Sequence, residues 1–244
     1  MRYEFNVLHK ALDQAVDWGL LSYNPADRVK PPKPEKVEAE IITKKEIETL
    51  LQGLEGTYFY MPVFLAIYTG GRLGEILGLT WRDINLAKGT IHIRQTSCQV
   101  SPDKPEFKQP KTAKSRRVID ISPAVVVELK KHEKRQKKWK VAAGEAWHDG
   151  FNLVCCNEIG WPINPPTLSS CFTKEAAKLG VYTTFHKLRH THASILGNNG
   201  VPLKVISDRL GHSSIAVTGD IYSHLLPGMG REAAQGFEKF LAEK

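Results

Sequence analysis

The chain has 244 residues, 41% of them hydrophobic, and its 34 Lys+Arg against 26 Asp+Glu give a formal net charge of +8. That length can bury one good core, and the positive balance favours a polyanionic partner without naming it. No stretch approaches the ~18 uninterrupted apolar residues of a spanning helix. The opening "MRYEFNVLHK" lacks the apolar core of a signal peptide, so a cytoplasmic protein that engages no membrane is expected. Cys98, Cys155, Cys156 and Cys171 show no paired C-x-x-C spacing, which predicts buried free thiols rather than a disulfide scaffold or a cysteine zinc site.

"FNVLHKALDQAVDWGLL" places Val7, Leu8, Ala11, Leu12, Ala15, Val16 and Leu20 on a helical period, and the proline-rich "SYNPADRVKPPKPEK" ends it in a linker. One helix with an apolar stripe has nothing of its own to bury against. It must pack on the next domain, on another copy or on residues upstream. A second unit begins at Ile41, where Thr43 and Glu46 of "ITKKEIETLL" form a capping-box start. "YFYMPVFLAIYTGGRLGEILGLTW" predicts a buried helix, a glycine turn at Gly70 and Gly71, and a second helix with Arg72 in its first turn.

"TIHIRQ" and "RRVIDIS" alternate as short strands of a small antiparallel sheet, separated by a Lys- and Pro-rich loop over 101–115. "SPAVVVELKKHEKRQKKWK" reads as a helix apolar at one end and strongly basic at the other. "LSSCFTKEAAKLG", "KLRHTHASILGNNG" and "PLKVISDRLGH" are helical, each closed near a glycine. The expected fold class is α+β, mainly helical, with a small antiparallel sheet.

Several polar residues stand out against this frame. His186 and Arg189 lie three apart on a predicted helix, so imidazole and guanidinium project from one face, where they could grip a single phosphate. Arg72 follows two glycines at a helix start, where backbone N–H groups and the helix dipole favour an anion and a planar cationic fork suits bidentate phosphate binding. In "SDRLGHSSIAVTGDIYSH", His212 follows a glycine and Tyr222 stands ten residues beyond it.

Taken in order, Arg72, Lys111, His186, Arg189, His212 and Tyr222 resemble the tyrosine recombinases, the phage integrase family. "TGGRLGE" is similar to that family's first arginine box, "HKLRHTHAS" to its His-x-x-Arg box, and "LGHSSIAVTGDIYSH" to its Leu-Gly-His box with the nucleophile ten residues later. The resemblance covers nearly the whole chain. It implies that residues 1–32 are the C-terminal helix of a truncated core-binding domain and 33–40 a linker. Residues 41–227 are then the catalytic domain, and 228–244 a tail helix that can be exchanged between protomers.

The resemblance further implies double-stranded DNA as the partner, a homo-oligomer on it (a tetramer in the active complex), and integration or excision of a mobile element. Tyr222 would be the nucleophile, Arg72 and Arg189 the phosphate clamp, His212 a further donor and His186 the acceptor of the tyrosine proton. Glu75 would orient Arg72. The general acid is a lysine of "KQPKTAKSRRVIDIS": Lys111 fits the family's wording, with Lys114 the second candidate. Lys108, Lys114, Arg116, Lys130 and Lys131 are expected along the DNA backbone, supplying salt-dependent affinity. Gly219, three residues before Tyr222, replaces the family's more usual threonine.

His186 and His190 have the i, i+4 spacing of a zinc-binding helix, but Lys187 stands where a zinc protease carries glutamate, and phosphoryl transfer through arginine clamps needs no metal or other cofactor. His190 and His192 are therefore read as packing or helix-bonding residues. A catalytically silent DNA-binding remnant that modulates a full-length recombinase is the alternative function.

Overall fold

The computed structural model describes residues 2–31, 41–100, 104–109, 116–212, 219 and 238. The chain divides into two compact units, Met1–Glu38 and Ala39–Lys244.

In the first unit, helix α1 (Arg2–Asp17) stops short of Leu20, which the apolar period had included. The cause is Gly19, whose φ of 72° turns the chain so that Gly19 N–H donates to Val16 O at 2.9 Å and Leu20 N–H to Ala15 O at 2.9 Å. A polar clasp then folds the single 3₁₀ turn Pro25–Arg28 back on α1. The His9 ring nitrogens lie 3.0 Å from Asp13 Oδ2 and 2.9 Å from Asp27 Oδ1, and buried Asn24 donates to His9 O at 3.1 Å. These three ionisable side chains are the one cluster with metal-ligand proximity among the described residues, and their mutual hydrogen bonds account for it.

The second unit opens with α2 (Lys44–Gly53), started by the expected capping box: Glu46 N–H donates to Thr43 Oγ1 and Thr43 N–H to Glu46 Oε2. Helix α3 (Tyr60–Thr69) is apolar nearly all round, and every residue except Tyr68 is buried, which makes it the central helix. It ends at Gly70 in the left-handed region. The short α4 (Leu73–Leu77) follows, with Arg72 at its N-cap rather than inside its first turn.

Strands β1 (Ile84–Asn85), β2 (Thr90–Ile93) and β5 (Arg117–Asp120) form one antiparallel sheet in the order β1-β2-β5. The predicted pairing of the second and last of these is present, in a register that sets Ile91 opposite Ile119 and Ile93 opposite Arg117. Within the Lys- and Pro-rich stretch, the described residues include a strand. β4 (Pro105–Lys108) pairs antiparallel with β3 (Thr96–Val100) as a separate two-stranded ribbon, and Pro105 occupies its first position, where a missing N–H costs least.

Helix α5 (Pro123–Ala143) carries Val125 and Leu129 into the core, with buried Glu128, His132 and Gln136 beside them. Gln136 is fully used: its Oε1 accepts from Trp81 Nε1 at 2.7 Å and its Nε2 donates to Val154 O at 2.9 Å. Burial holds His132 neutral, with its pKa pushed down to about 4. Cys155 and Cys156 are buried, their thiols raised by burial, Cys156 to about 12; Cys98 and Cys171 are half-buried. Helices α6 (Pro165–Lys178), α7 (Phe185–Asn198) and α8 (Leu203–Leu210) complete the unit. Among the described residues no helix is long and apolar enough to cross a membrane.

His192 joins α3, α7 and α8. Its Nδ1 donates to Ile67 O at 2.9 Å while its Nε2 accepts from Arg209 Nε at 3.2 Å, so it is the neutral tautomer, and burial and the adjacent Arg209 push its pKa down to about 4. Gly70 lies against it. A Cβ there would meet His192 Cδ2 and Leu210 Cδ2, both at 2.6 Å, at a φ of 66°. Gly180 has a similar φ of 75° but open space around it. Gly180→Ala should therefore cost only the left-handed backbone penalty of ~1–2 kcal/mol. Gly70→Ala should lose a further ~1–3 kcal/mol to overpacking. Urea unfolding midpoints at unchanged m-value measure both, and equal losses would show that the contact with His192 and Leu210 is unimportant.

Candidate active site

Helix α8 ends in a Schellman motif. Gly211, at φ 68°, donates its N–H to Asp208 O, and the His212 N–H returns to Ser207 O at 3.1 Å. This leaves the carbonyls of Arg209, Leu210 and Gly211 unused by the helix, at the end where its dipole is negative. A guanidinium takes each one. Arg117 Nε donates to Arg209 O at 2.7 Å, Arg189 Nη2 to Leu210 O at 2.7 Å, and Arg72 Nη2 to Gly211 O at 3.0 Å.

Two of these arginines were expected and their convergence is now explained. Arg189, three residues after His186 on α7, is 4% exposed and is also held by Gly70 O at 2.7 Å, the carbonyl of the glycine turn before Arg72. Arg72 is the accessible one, with a side chain 42% exposed. Its Nη1 and its backbone N–H both go to Glu75, at 2.8 and 3.0 Å. The backbone donor expected to face an anion is thus occupied, and side chains do the facing instead.

Arg72, His186, Arg189, His190 and His212, floored by Ala193 and Leu210, enclose a cavity of about 210 Å³. His186, Arg189, His190 and Ala193 share one stripe of α7, and the rings of His186 and His190 meet edge to face at 4.5 Å. His190, read from sequence as packing or helix-bonding, instead lines the pocket; its Nδ1 is buried with no hydrogen-bond partner among the described residues.

Three guanidiniums surround a single buried carboxylate, so the cavity is strongly positive. Burial, then the nearby Arg72, push Arg189 down to about 9, which still leaves it charged at neutral pH. Burial, then Arg189 and Arg72, hold the His212 pKa at about 4 and lower that of His186. The imidazoles are neutral because burial penalises their charged form and protonation would add charge to an already cationic site.

Lys111, Lys114 and Tyr222 lie outside the described residues, as does nearly all of the 228–244 tail. Of the residues expected along DNA, Lys108, Arg116, Lys130 and Lys131 are exposed and none lines the cavity. Lys108 pairs with Glu106 at 3.1 Å and Lys131 with Glu128 at 3.2 Å. Sequence reasoning missed Arg117. Its signal was the alternation of "RRVIDIS", in which Arg117 shares the phase of buried Ile119, while Arg116 and Val118 point out.

Phosphate or another oxyanion in the cavity would reverse this histidine electrostatics. An opposite charge within ~4–6 Å moves a pKa by ~1–3 units. Inorganic phosphate should therefore raise the His212 midpoint from about 4 by at least a unit, and leave His192, committed to Ile67 O and Arg209, where it is. Imidazole titrations by NMR with and without phosphate check this; parallel or absent shifts would show that the cavity does not take the anion.

The phage integrase family model matches residues 40–228. The chain is 35% identical over 247 residues to the tyrosine recombinase XerC-like protein of Caldanaerobacter subterraneus subsp. tengcongensis, covering 94% of this chain and 63% of that one. It is 31% identical over 180 residues to the integrase of Staphylococcus phage L54a, covering 71% of this chain and 49% of the relative. The chain thus spans less than two thirds of either relative's length. The Tn1549 transposon integrase, solved in complex with circular intermediate DNA, superposes over 96% of this chain and 78% of that one with a TM-score of 0.74 at 21% identity. The XerA recombinase crystal structure superposes over 96% of this chain and 75% of that one with a TM-score of 0.61 at 21% identity. The fold is that of these recombinases, and the chain belongs to the phage integrase family.

Proposed function

We propose that the chain is the catalytic part of a site-specific DNA recombinase that cleaves and rejoins double-stranded DNA through a 3′-phosphotyrosyl intermediate. The observation that carries this reading is the convergence of Arg72, Arg189, His186 and His212 on one anion-sized, positively charged cavity. Phosphoryl transfer through a pentacoordinate transition state places extra negative charge on the non-bridging oxygens, and preorganised donors are the main way to stabilise it. The two guanidiniums are preorganised here by carbonyls and by Glu75, so they need little rearrangement to receive the phosphate.

In the proposed step the Tyr222 phenol oxygen bonds to phosphorus as the bond to the 5′-oxygen breaks. The phenol proton passes to His186, whose neutral resting form leaves a nitrogen able to accept it. Lys111, with Lys114 the second candidate, gives a proton to the departing 5′-oxygen. His212 donates its N–H to a non-bridging oxygen. The phosphotyrosyl bond keeps the energy of the phosphodiester, so the strand rejoins to a new partner without ATP or a cofactor.

The names of the phage and transposon integrases among the similar proteins support integration or excision of a mobile element as the task. A homotetramer assembled on DNA in the cytoplasm would be the active form, with Lys108, Lys114, Arg116, Lys130 and Lys131 contributing backbone affinity.

Trapping on a DNA duplex nicked near the scissile phosphate tests the proposal. Wild type should accumulate a covalent protein–DNA adduct, Tyr222→Phe should form none, and Arg189→Ala should form it at least ~10²-fold more slowly. Adducts that survive the phenylalanine change would remove the assigned nucleophile. No adduct from wild type that still binds the duplex would favour the silent DNA-binding remnant.

A further inference from the structure

We infer that Arg117 is a positioning residue for the anion pocket, acting through the carboxylate of Glu75 to fix Arg72. The inference rests on the recombinase reading for its consequence in catalysis, and on geometry alone for its consequence in anion binding.

Arg117 begins β5, and its strand phase turns it inward beside Ile119. Its side chain is 7% exposed and meets Glu75 as a two-pronged fork, Nη1 to Oε1 at 3.1 Å and Nη2 to Oε2 at 2.9 Å. The same two oxygens accept from Arg72, Oε1 from Nη1 and Oε2 from the backbone N–H. One carboxylate is therefore shared between a buried arginine that is not among the residues lining the cavity and an accessible arginine that lines it. The third Arg117 donor, Nε, goes to Arg209 O, next to the two carbonyls that hold Arg189 and Arg72. Its guanidinium also packs on Gly211 so closely that a Cβ there would meet Nη1 at 2.8 Å.

Glu75 is buried, and a buried carboxylate stays charged only while its partners outweigh desolvation. Burial raises its pKa. Arg117, by hydrogen bond and charge, and Arg72 more than offset this, so the group stands below the usual carboxylate range. Among the described residues, the charged groups facing it are Arg72 from the α4 N-cap, Arg117 from β5 and Arg189 from α7, with neutral His186, His190 and His212 around the cavity beyond. Without Arg117 the carboxyl pKa rises, and protonation releases the side chain that aims Arg72. A misplacement of about 1 Å is enough to cost ~10² in rate.

The test compares wild type, Arg117→Gln, Arg117→Lys, Glu75→Gln and the Arg117→Gln/Glu75→Gln double variant in the full chain. Three readouts are taken: single-turnover adduct formation on saturating nicked DNA, the pH profile of that rate, and inorganic phosphate affinity without DNA. Arg117→Gln should slow adduct formation ~10²-fold, and Arg117→Lys, which keeps the charge but not the fork, should recover part of the loss. Only Arg117→Gln should gain an acid limb, its rate falling as pH drops through a range where wild type is flat. The double variant should lack that limb and be no slower than the worse single variant. Phosphate should bind Arg117→Gln at least several-fold more weakly than wild type.

Independent losses that multiply in the double variant, an unshifted pH profile, or unchanged phosphate affinity would each overturn the inference. Should Arg117→Gln not fold, the partial loss in Arg117→Lys and its absence on a Glu75→Gln background decide the matter. Absence of an adduct from wild type would count against the recombinase reading, and the phosphate titration then judges Arg117 alone.

Discussion

Everything in the candidate site hangs on the last turn of α8. A Schellman ending at Gly211 consumes the N–H groups of Gly211 and His212 and leaves three consecutive carbonyls, of Arg209, Leu210 and Gly211, pointing away from the helix. Buried carbonyls must be satisfied. Here the partners are guanidiniums from β5, α7 and the α4 N-cap, segments far apart in the chain. One peptide stretch thereby brings Arg189 and Arg72 together and, in the same turn, presents His212 beside them. The requirement for glycine at 211 follows twice over, from its left-handed φ and from the Arg117 guanidinium that occupies the space of a side chain.

Gathering cations in this way is costly. Part of the cost is offset by carbonyl dipoles, and part by Glu75, which accepts from both Arg72 and Arg117. Burial first, and the surrounding cationic groups second, shift His186, His190 and His212 toward the neutral form and pull Arg189 down from the ordinary arginine range. An oxyanion would offset the charge-repulsion part of each shift. Fixed donors around a positively charged pocket are what electrostatic preorganisation for an oxyanion requires.

Much of this was legible in the residues. The spacing of His186 and Arg189 on one helix face, the glycine pair before Arg72 and the Gly-His pair after α8 each signal local structure, and the structure brings all four side chains to one cavity. The capping box at Thr43, the buried α3 and the pairing of β2 with β5 follow from propensity and period in the same way. What could not be read was which partner a polar group would choose. Arg117 carried a period-2 signal of burial, but nothing local says that its fork meets Glu75. His190 and His192, two residues apart, differ only in which way α7 turns them: one lines the cavity, the other is bound between Ile67 and Arg209. The ribbon of β3 and β4 was hidden because lysine and proline composition speaks for a loop, while strand pairing is a non-local event.

The distribution of charge separates two tasks that net charge alone merges. On α5, exposed basic side chains pair with acidic neighbours: Lys137 with Glu133, and Lys140 with Asp149 beyond the helix. Such exposed pairs are worth little each and fade as salt rises, because a Debye length at physiological ionic strength is only ~8 Å. The arginines around Glu75 are in the opposite condition. Arg117 and Arg189 are buried, fixed by carbonyls and screened by protein rather than by ions. Surface lysines can then vary in number and place at small cost to the fold. The buried cluster cannot vary piecemeal, since losing one guanidinium leaves a carbonyl of α8 unsatisfied and changes the charge felt by every other group in the pocket.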